Sequence, residues 1–443
     1  MASLSEKDLL LLSNYLYLDK CTQYSTINEM LDSCRSANGW INENKAGQLG
    51  VGGGMTKTEC RKLLQEMDNA SDELKNLRVA RTIDEPELRA ICFEHPGDDG
   101  TATVVFRGTG GAYRAWADNV QGQYKADTDI QKMADDFVRY NCGVYDNITV
   151  TGHSKGGNLA GYTAITNRDR VRACLAFDPQ GYGSECLKAH KDEMKDASYN
   201  IKVVSTDNDP VNTLLVQVAR DRVFVKNERK GLIGRHGSYA LLEACEFDSD
   251  GNITNAVSDR DLSMDLMHRA VLSTTALLGM LPKGGNEKAT NVLASLVASI
   301  MSDDMGADYE RSEIKKSLAD LGHYGFEVMG RTPRNNMSIK PVTDSLYADT
   351  VGIKSAAVLM DDMKKELTKV TERIGAVRTG ISYRASSRLV VEGKLKLLEE
   401  RLTTEVGRLA SYSSTLENIA CQIESCENDI VSLIGGTGTS STP

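Results

Sequence analysis

The sequence predicts an α/β fold, a mainly parallel sheet with helices on both faces, followed by an all-α helical hairpin. Three observations carry that reading. Between residues 88 and 240, short β-branched runs alternate with helical segments. Within that region, GHSKG (152–156) stands between a strand and a helix. Beyond residue 258, strand patterns become scarce and apolar residues recur at heptad spacing.

Taken in order, Ser5 with Asp8 three residues on reads as an N-cap, and apolar residues follow at helical spacing to about Tyr17. GQLGVGGGMTK (47–57) is glycine-rich, but no Lys-Ser/Thr pair of the P-loop kind follows, so a surface loop is preferred to a phosphate cradle. LRAICFEH (88–95) and TATVVFRGT (101–109) are strands joined by a hairpin turn at PGDDG. A helix around 127–141 precedes the strand NITVT (147–151), and another follows at about 156–167. VRACLAFD (171–178) and NIKVVST (200–206) complete the alternation. LMHRAVLSTTALLGML (266–281) and ATNVLASLVASIM (289–301) read as apolar helices, buried against the sheet in preference to forming a lid.

GRTPRNNMSIKPVTDS (330–345) has the composition of a linker. After it, Met363, Leu367, Val370, Ile374, Val377 and Ile381 step alternately by four and three. Leu395, Leu398, Leu402, Val406 and Leu409 begin a second such seam beyond a break near SYRASS, which predicts a long antiparallel helical hairpin. The expected division is 1–260 for the α/β domain, 261–330 for a helical extension and 331–443 for the hairpin, ending in a polar tail.

Bulk properties narrow the function. A chain of 443 residues with a formal charge of −10 lacks the basic balance of a nucleic-acid binder. The ten cysteines are scattered, with no CxxC pair and no Cys/His cluster of zinc spacing, so they read as packing residues of a reducing cytoplasm, not as metal ligands. The N-terminal stretch has no basic region before its apolar run, which argues against a Sec-type signal peptide. No apolar run approaches the roughly 20 residues of a membrane span.

The chemistry centres on Ser154. The run ITVT leads straight into Gly152, and the small-residue helix GGNLAGYTAI leaves after it, as a nucleophile elbow requires. Side chains two residues either side of the strained serine would clash across so sharp a turn. The helix N-terminus directs N–H groups and positive dipole toward a developing oxyanion. An acyl-transfer serine needs a base, oriented in turn by an acid. Of His236, His268 and His323, His236 in GRHGSY follows the last sheet-like segment and is the preferred base. Asp209, fixed by Pro210 at the end of a strand, is the preferred acid, with Asp207 and Asp178 as open alternatives. The oxyanion donors are the backbone N–H of Lys155 and that of Thr109 at the end of VVFRGT. His153 reads as a packing or positioning residue. Such chemistry needs no metal or organic cofactor.

VFRGT, GHSKGGNLA, NDPV and a later His closely followed by Tyr together resemble the class 3 lipase-like branch of the α/β-hydrolases over roughly residues 1–260. The resemblance implies Ser154 as nucleophile, Asp209 as acid, His236 as base, and Thr109 with Lys155 as the oxyanion hole. Lys155 and Asn158 depart from the leucine and alanine of common lipase elbows and resemble a bacterial GHSKGGN subgroup. With its heptad helices, the whole chain resembles bacterial type VII secreted lipase effectors carrying an LXG-like targeting domain, although no Trp-x-Gly or Leu-x-Gly stands at the break. That second resemblance implies export from the bacterial cytoplasm without a cleaved signal peptide and small helical partner proteins on the hairpin. It also implies an immunity protein, and a lipid or phospholipid substrate met at a membrane surface. The alternatives are a catalytically inactive hydrolase fold used as a scaffold, and a cytoplasmic esterase or thioesterase.

Overall fold

An eight-stranded sheet whose spatial order repeats the chain order organises the computed structural model. The structure describes residues 4–260 and 284–301 continuously, with scattered positions elsewhere up to residue 421. The strands are β1 (Arg78–Asp84), β2 (Arg89–His95), β3 (Asp98–Phe106), β4 (Asn147–His153), β5 (Val171–Phe177), β6 (Ile201–Thr206), β7 (Asp221–Val225) and β8 (Ala256–Val257). The first three form an antiparallel meander, β3 to β7 run parallel, and β8 closes the edge antiparallel. This is the α/β-hydrolase-like sheet that the alternation predicts.

Chain-ordered parallel strands joined by right-handed crossovers put every crossover helix on one face. That face carries α6 (Tyr113–Gln121), α7 (Asp129–Asp136), α8 (Lys155–Thr166), α9 (Ser184–Ala189) and α10 (Lys191–Ala197), packed over Cys92, Val104, Val150 and Val203. The other face needs cover from outside the crossovers. It is supplied by α1 (Glu6–Tyr15), α2 (Ile27–Cys34), α3 (Glu43–Gly47), α4 (Lys57–Asp68) and α5 (Asp72–Asn76), whose Leu10, Leu12, Leu31 and Leu64 meet Ile91, Val105, Leu175 and Val204. Adjacent residues such as Ile91 and Cys92 enter opposite cores, as the two-residue period of a strand dictates.

Local signals hold where side-chain chemistry is explicit. Ser5 Oγ accepts the Asp8 N–H and Asp8 Oδ2 accepts the Ser5 N–H, both at 3.1 Å, a complete capping box. The β2–β3 hairpin turns between His95 and Asp98. β1, β7 and β8 went unpredicted: β1 is charged and largely exposed along its length, so it carries little apolar alternation. The helix expected over 127–141 ends at Asp136 and gives way to a π-helical turn, Phe137–Asn141.

After β7 come α11 (Leu232–His236) and α12 (Ala240–Ala244), and α13 (Gly285–Met301) packs against α6. Gln123 donates to Asn286 Oδ1 at 3.2 Å and Tyr124 to Asn291 Oδ1 at 2.9 Å across that contact. Packing divides the chain into Met1–Met264 with Thr275–Met337, and Asp265–Thr274 with Ser338–Pro443. In the second unit the described positions from 358 to 376 and from 396 to 421 are helical, and Leu402 and Val406 are half-buried. The other seam residues named above, the linker and the polar tail lie outside the described residues. Among the described residues, no helix is long and apolar enough to cross a membrane, and the cysteines are free.

Candidate active site

β4 delivers Ser154 at a turn with φ 61° and ψ −126°, a conformation that L residues adopt only under constraint. The constraint is close packing. A Cβ on Gly152 would lie 2.5 Å from both Phe106 O and the carbonyl carbon of Gly156, so the chain passes only because these positions are bare. Ser154 also stands at the N-cap of α8, where a serine hydroxyl ordinarily accepts an N–H of its own helix. Here it makes no such bond. Its Oγ lies 2.7 Å from His236 Nε2 instead.

His236, at the end of α11, continues the chain inward: its Nδ1 is 2.8 Å from Asp209 Oδ1. Asp209 is 1 % exposed and is held by its own turn, with Asn212 N–H donating to Oδ2 at 2.7 Å and Val211 N–H to Oδ1 at 3.3 Å. The 3₁₀ turn that begins after Pro210 presents both N–H groups, which gives the Asp-Pro pair its local meaning. Of the three acids considered, Asp209 is therefore the one bonded to His236. Asp207 turns toward β7, where its Oδ1 accepts the Asn227 N–H at 3.1 Å. Asp178 follows β5 directly, and its Oδ1 accepts the Thr206 N–H at 2.8 Å.

The end of β3 abuts the nucleophile. A Cβ on Gly108 would lie 3.1 Å from Ser154 Cβ and 2.9 Å from His153 O, so the loop bearing Thr109 leaves the sheet beside the serine. The Thr109 hydroxyl accepts the side-chain N–H of Asn119 at 2.8 Å, which ties that loop to α6. Lys155 places its backbone at the first turn of α8, while its side chain turns into the protein and pairs with Asp118 at 2.8 Å. Both partners are about 95 % buried, so α6 is bolted to the elbow by one ion pair and to the β3 loop by one hydrogen bond.

His153 is buried, and burial, reinforced by the neighbouring His236, drives its basicity well below the usual range and keeps its ring neutral. Its Nδ1 lies 2.8 Å from the Tyr17 hydroxyl, a phenol that burial holds protonated. His268 lies in the other unit, and His323 lies outside the described residues. Among the described residues, no three His, Cys, Asp or Glu side chains gather as a metal would require.

Residues 71–266 match the Mbeg1-like family model. That lipase-like match starts at Ser71, the N-cap of α5, reaches beyond β8 and contains Ser154, Asp209 and His236. It is compatible with the sheet and with a lipase-like hydrolase. No curated protein matches the chain.

Three residues around the site were not anticipated: Tyr17, Asp118 and Asn119. A signal existed for Asp118, because a lysine buried beside the nucleophile needs a carboxylate, and AWADN before the elbow supplies one. Tyr17 gave none, since nothing local distinguishes it from its neighbour Tyr15.

Proposed function

We propose that the chain is a serine hydrolase of lipid carboxylic esters. The observation that carries this is the continuous Ser154–His236–Asp209 hydrogen-bond chain at 2.7 and 2.8 Å, built on a strained elbow. In this reading His236 Nε2 takes the Ser154 proton as Oγ attacks the ester carbonyl, and Asp209 stabilises the imidazolium. The N–H groups of Lys155 and Thr109 hold the tetrahedral oxyanion. The alcohol departs with the proton from His236, and water then releases the fatty acid from the acyl-enzyme by the same steps.

The rest of the proposal concerns the setting. The substrate is a phospholipid or related lipid taken from a membrane surface. The hairpin binds small helical partner proteins before export by a type VII route, with an immunity protein guarding the producing cell. The heptad spacing of the C-terminal sequence supports the hairpin.

A fluorophosphonate probe tests the core of the reading: wild type is labelled and Ser154→Ala is not. Equal labelling of both, or of neither, overturns it. Fatty acid released from phospholipid vesicles tests the substrate, and turnover of short soluble esters alone refutes the lipid assignment. Loss of partner capture on removing residues 345–443, with labelling retained, tests the hairpin's role.

A further inference from the structure

Asp178 is outside the hydrogen-bond chain of the site yet wholly buried beside it, with a φ of 43°. Asp and Asn are the non-glycine residues that tolerate this region best. The conformation carries the chain across to β6, where Asp178 N–H bonds Val204 O at 2.9 Å and Oδ1 accepts the Thr206 N–H at 2.8 Å. Asp209 is tied to that same residue, through its own N–H to Thr206 O at 3.3 Å. Two buried aspartates thus flank one strand end, both bonded to Thr206.

Their environments differ. Both oxygens of Asp209 receive N–H groups. Asp178 Oδ2 receives no N–H group, and the Ser205 hydroxyl beside the carboxyl, with the Thr206 N–H, offsets only part of the penalty of burial. The other titratable groups facing Asp178 are Tyr17, from the turn after α1, and Cys245, from the end of α12, and burial keeps both neutral. With no cation among them to compensate, two adjacent buried carboxylates cannot both be charged. Burial and the charge on Asp209 push the Asp178 carboxyl well above the ordinary carboxylate range.

We propose that Asp178 is a neutral acid whose Oδ2–H donates to the Asp209 carboxylate, so that a carboxyl–carboxylate pair, not one aspartate, stands behind His236. Asp178 is then a positioning residue. It fixes the Asp209 rotamer and spreads its negative charge without adding a second one. This rests on the serine-hydrolase reading for its consequence, but not for its protonation state.

Asp178→Asn in the full chain is the informative variant. It tolerates the backbone, keeps an oxygen for the Thr206 N–H and offers an N–H where the acid offers its proton. The expected result is probe labelling of Ser154 within about threefold of wild type and an acidic limb of the pH–rate profile that stays in place, because no charge has been removed. An infrared band of a protonated carboxyl at neutral pH, present in wild type, disappears. Asp178→Leu, folded by circular dichroism, labels roughly tenfold or more slowly, since it removes the donor. An acidic limb moved down by about one unit in Asp178→Asn means that Asp178 was charged, and overturns the proposal. So does a wild-type spectrum without the band. A wild type that takes up no probe refutes the hydrolase reading instead, and the infrared band still decides the protonation of Asp178.

Discussion

The ring of His153 stacks on that of His236, with centroids 4.9 Å apart and planes 29° from parallel. The residue preceding the nucleophile therefore supports the base that the nucleophile uses. His153 is anchored from behind by the Tyr17 hydroxyl, so the stack traces back to the end of the first helix. Tyr17→Phe removes that anchor and leaves a buried ring nitrogen without its partner, at a cost of about 1–3 kcal/mol. Denaturant unfolding should show this loss, and probe labelling should slow while remaining measurable. A variant as stable as wild type would mean that the bond contributes nothing net.

The Lys155–Asp118 pair predicts an asymmetric response to substitution. Truncating Asp118 to Ala strands a buried ammonium, so the expected loss is about 3–5 kcal/mol, read from unfolding midpoints at constant slope. Replacing both partners together, Lys155→Met with Asp118→Leu, should recover most of it. Apolar groups of similar volume carry no desolvation penalty. If the double variant is as unstable as Asp118→Ala, the loss lies in the buried Ile130 N–H that Asp118 Oδ1 also accepts, at 3.2 Å, and not in charge balance.

At the elbow, space is the limiting quantity. A Cβ on Gly156 would come within 2.8 Å of the Arg107 carbonyl carbon and collide with Phe106 O, both rigid backbone. Gly156→Ala must push α8 away from β3 and should abolish labelling or prevent folding. Gly100→Ala, where nothing lies within 4 Å, is the matched control and should behave as wild type. A labelled, stable Gly156→Ala protein would show that the elbow yields more readily than its packing implies.

How much of this was legible beforehand depended on whether the signal was local. The elbow was legible because its constraint acts within five residues: strand, glycine, serine, glycine, helix. Asp209 and His236 were legible by chain order and loop position, but the choice among Asp178, Asp207 and Asp209 was not. All three sit at or just past strand ends, and only the register of β5, β6 and β7 decides which oxygen faces the imidazole. The sheet's centre was legible from β-branched runs, whereas β1 and β8 owe their strand state to pairing with a neighbour. Tyr17 and Asp118 reach the site through tertiary packing, across 136 and 37 positions of sequence respectively.

Two buried groups give the protein opposing stability slopes with pH. His153 is hard to protonate in the folded chain, so below about pH 6.5 the unfolded chain binds a proton that the folded one refuses. Its contribution is full above that pH and is lost as pH falls. Asp178 works the other way. Its folded form keeps a proton that the unfolded chain gives up above about pH 4, so its contribution is full in acid and is lost as pH rises toward its folded value. Between about pH 4 and 6.5, the ordinary values of the two groups, the slopes oppose each other. Asp178→Asn removes one of them. Its unfolding free energy relative to wild type should therefore climb with pH above about pH 4, measured by urea titration at a series of pH values. A difference that does not vary with pH would mean that Asp178 titrates alike in the folded and unfolded chains.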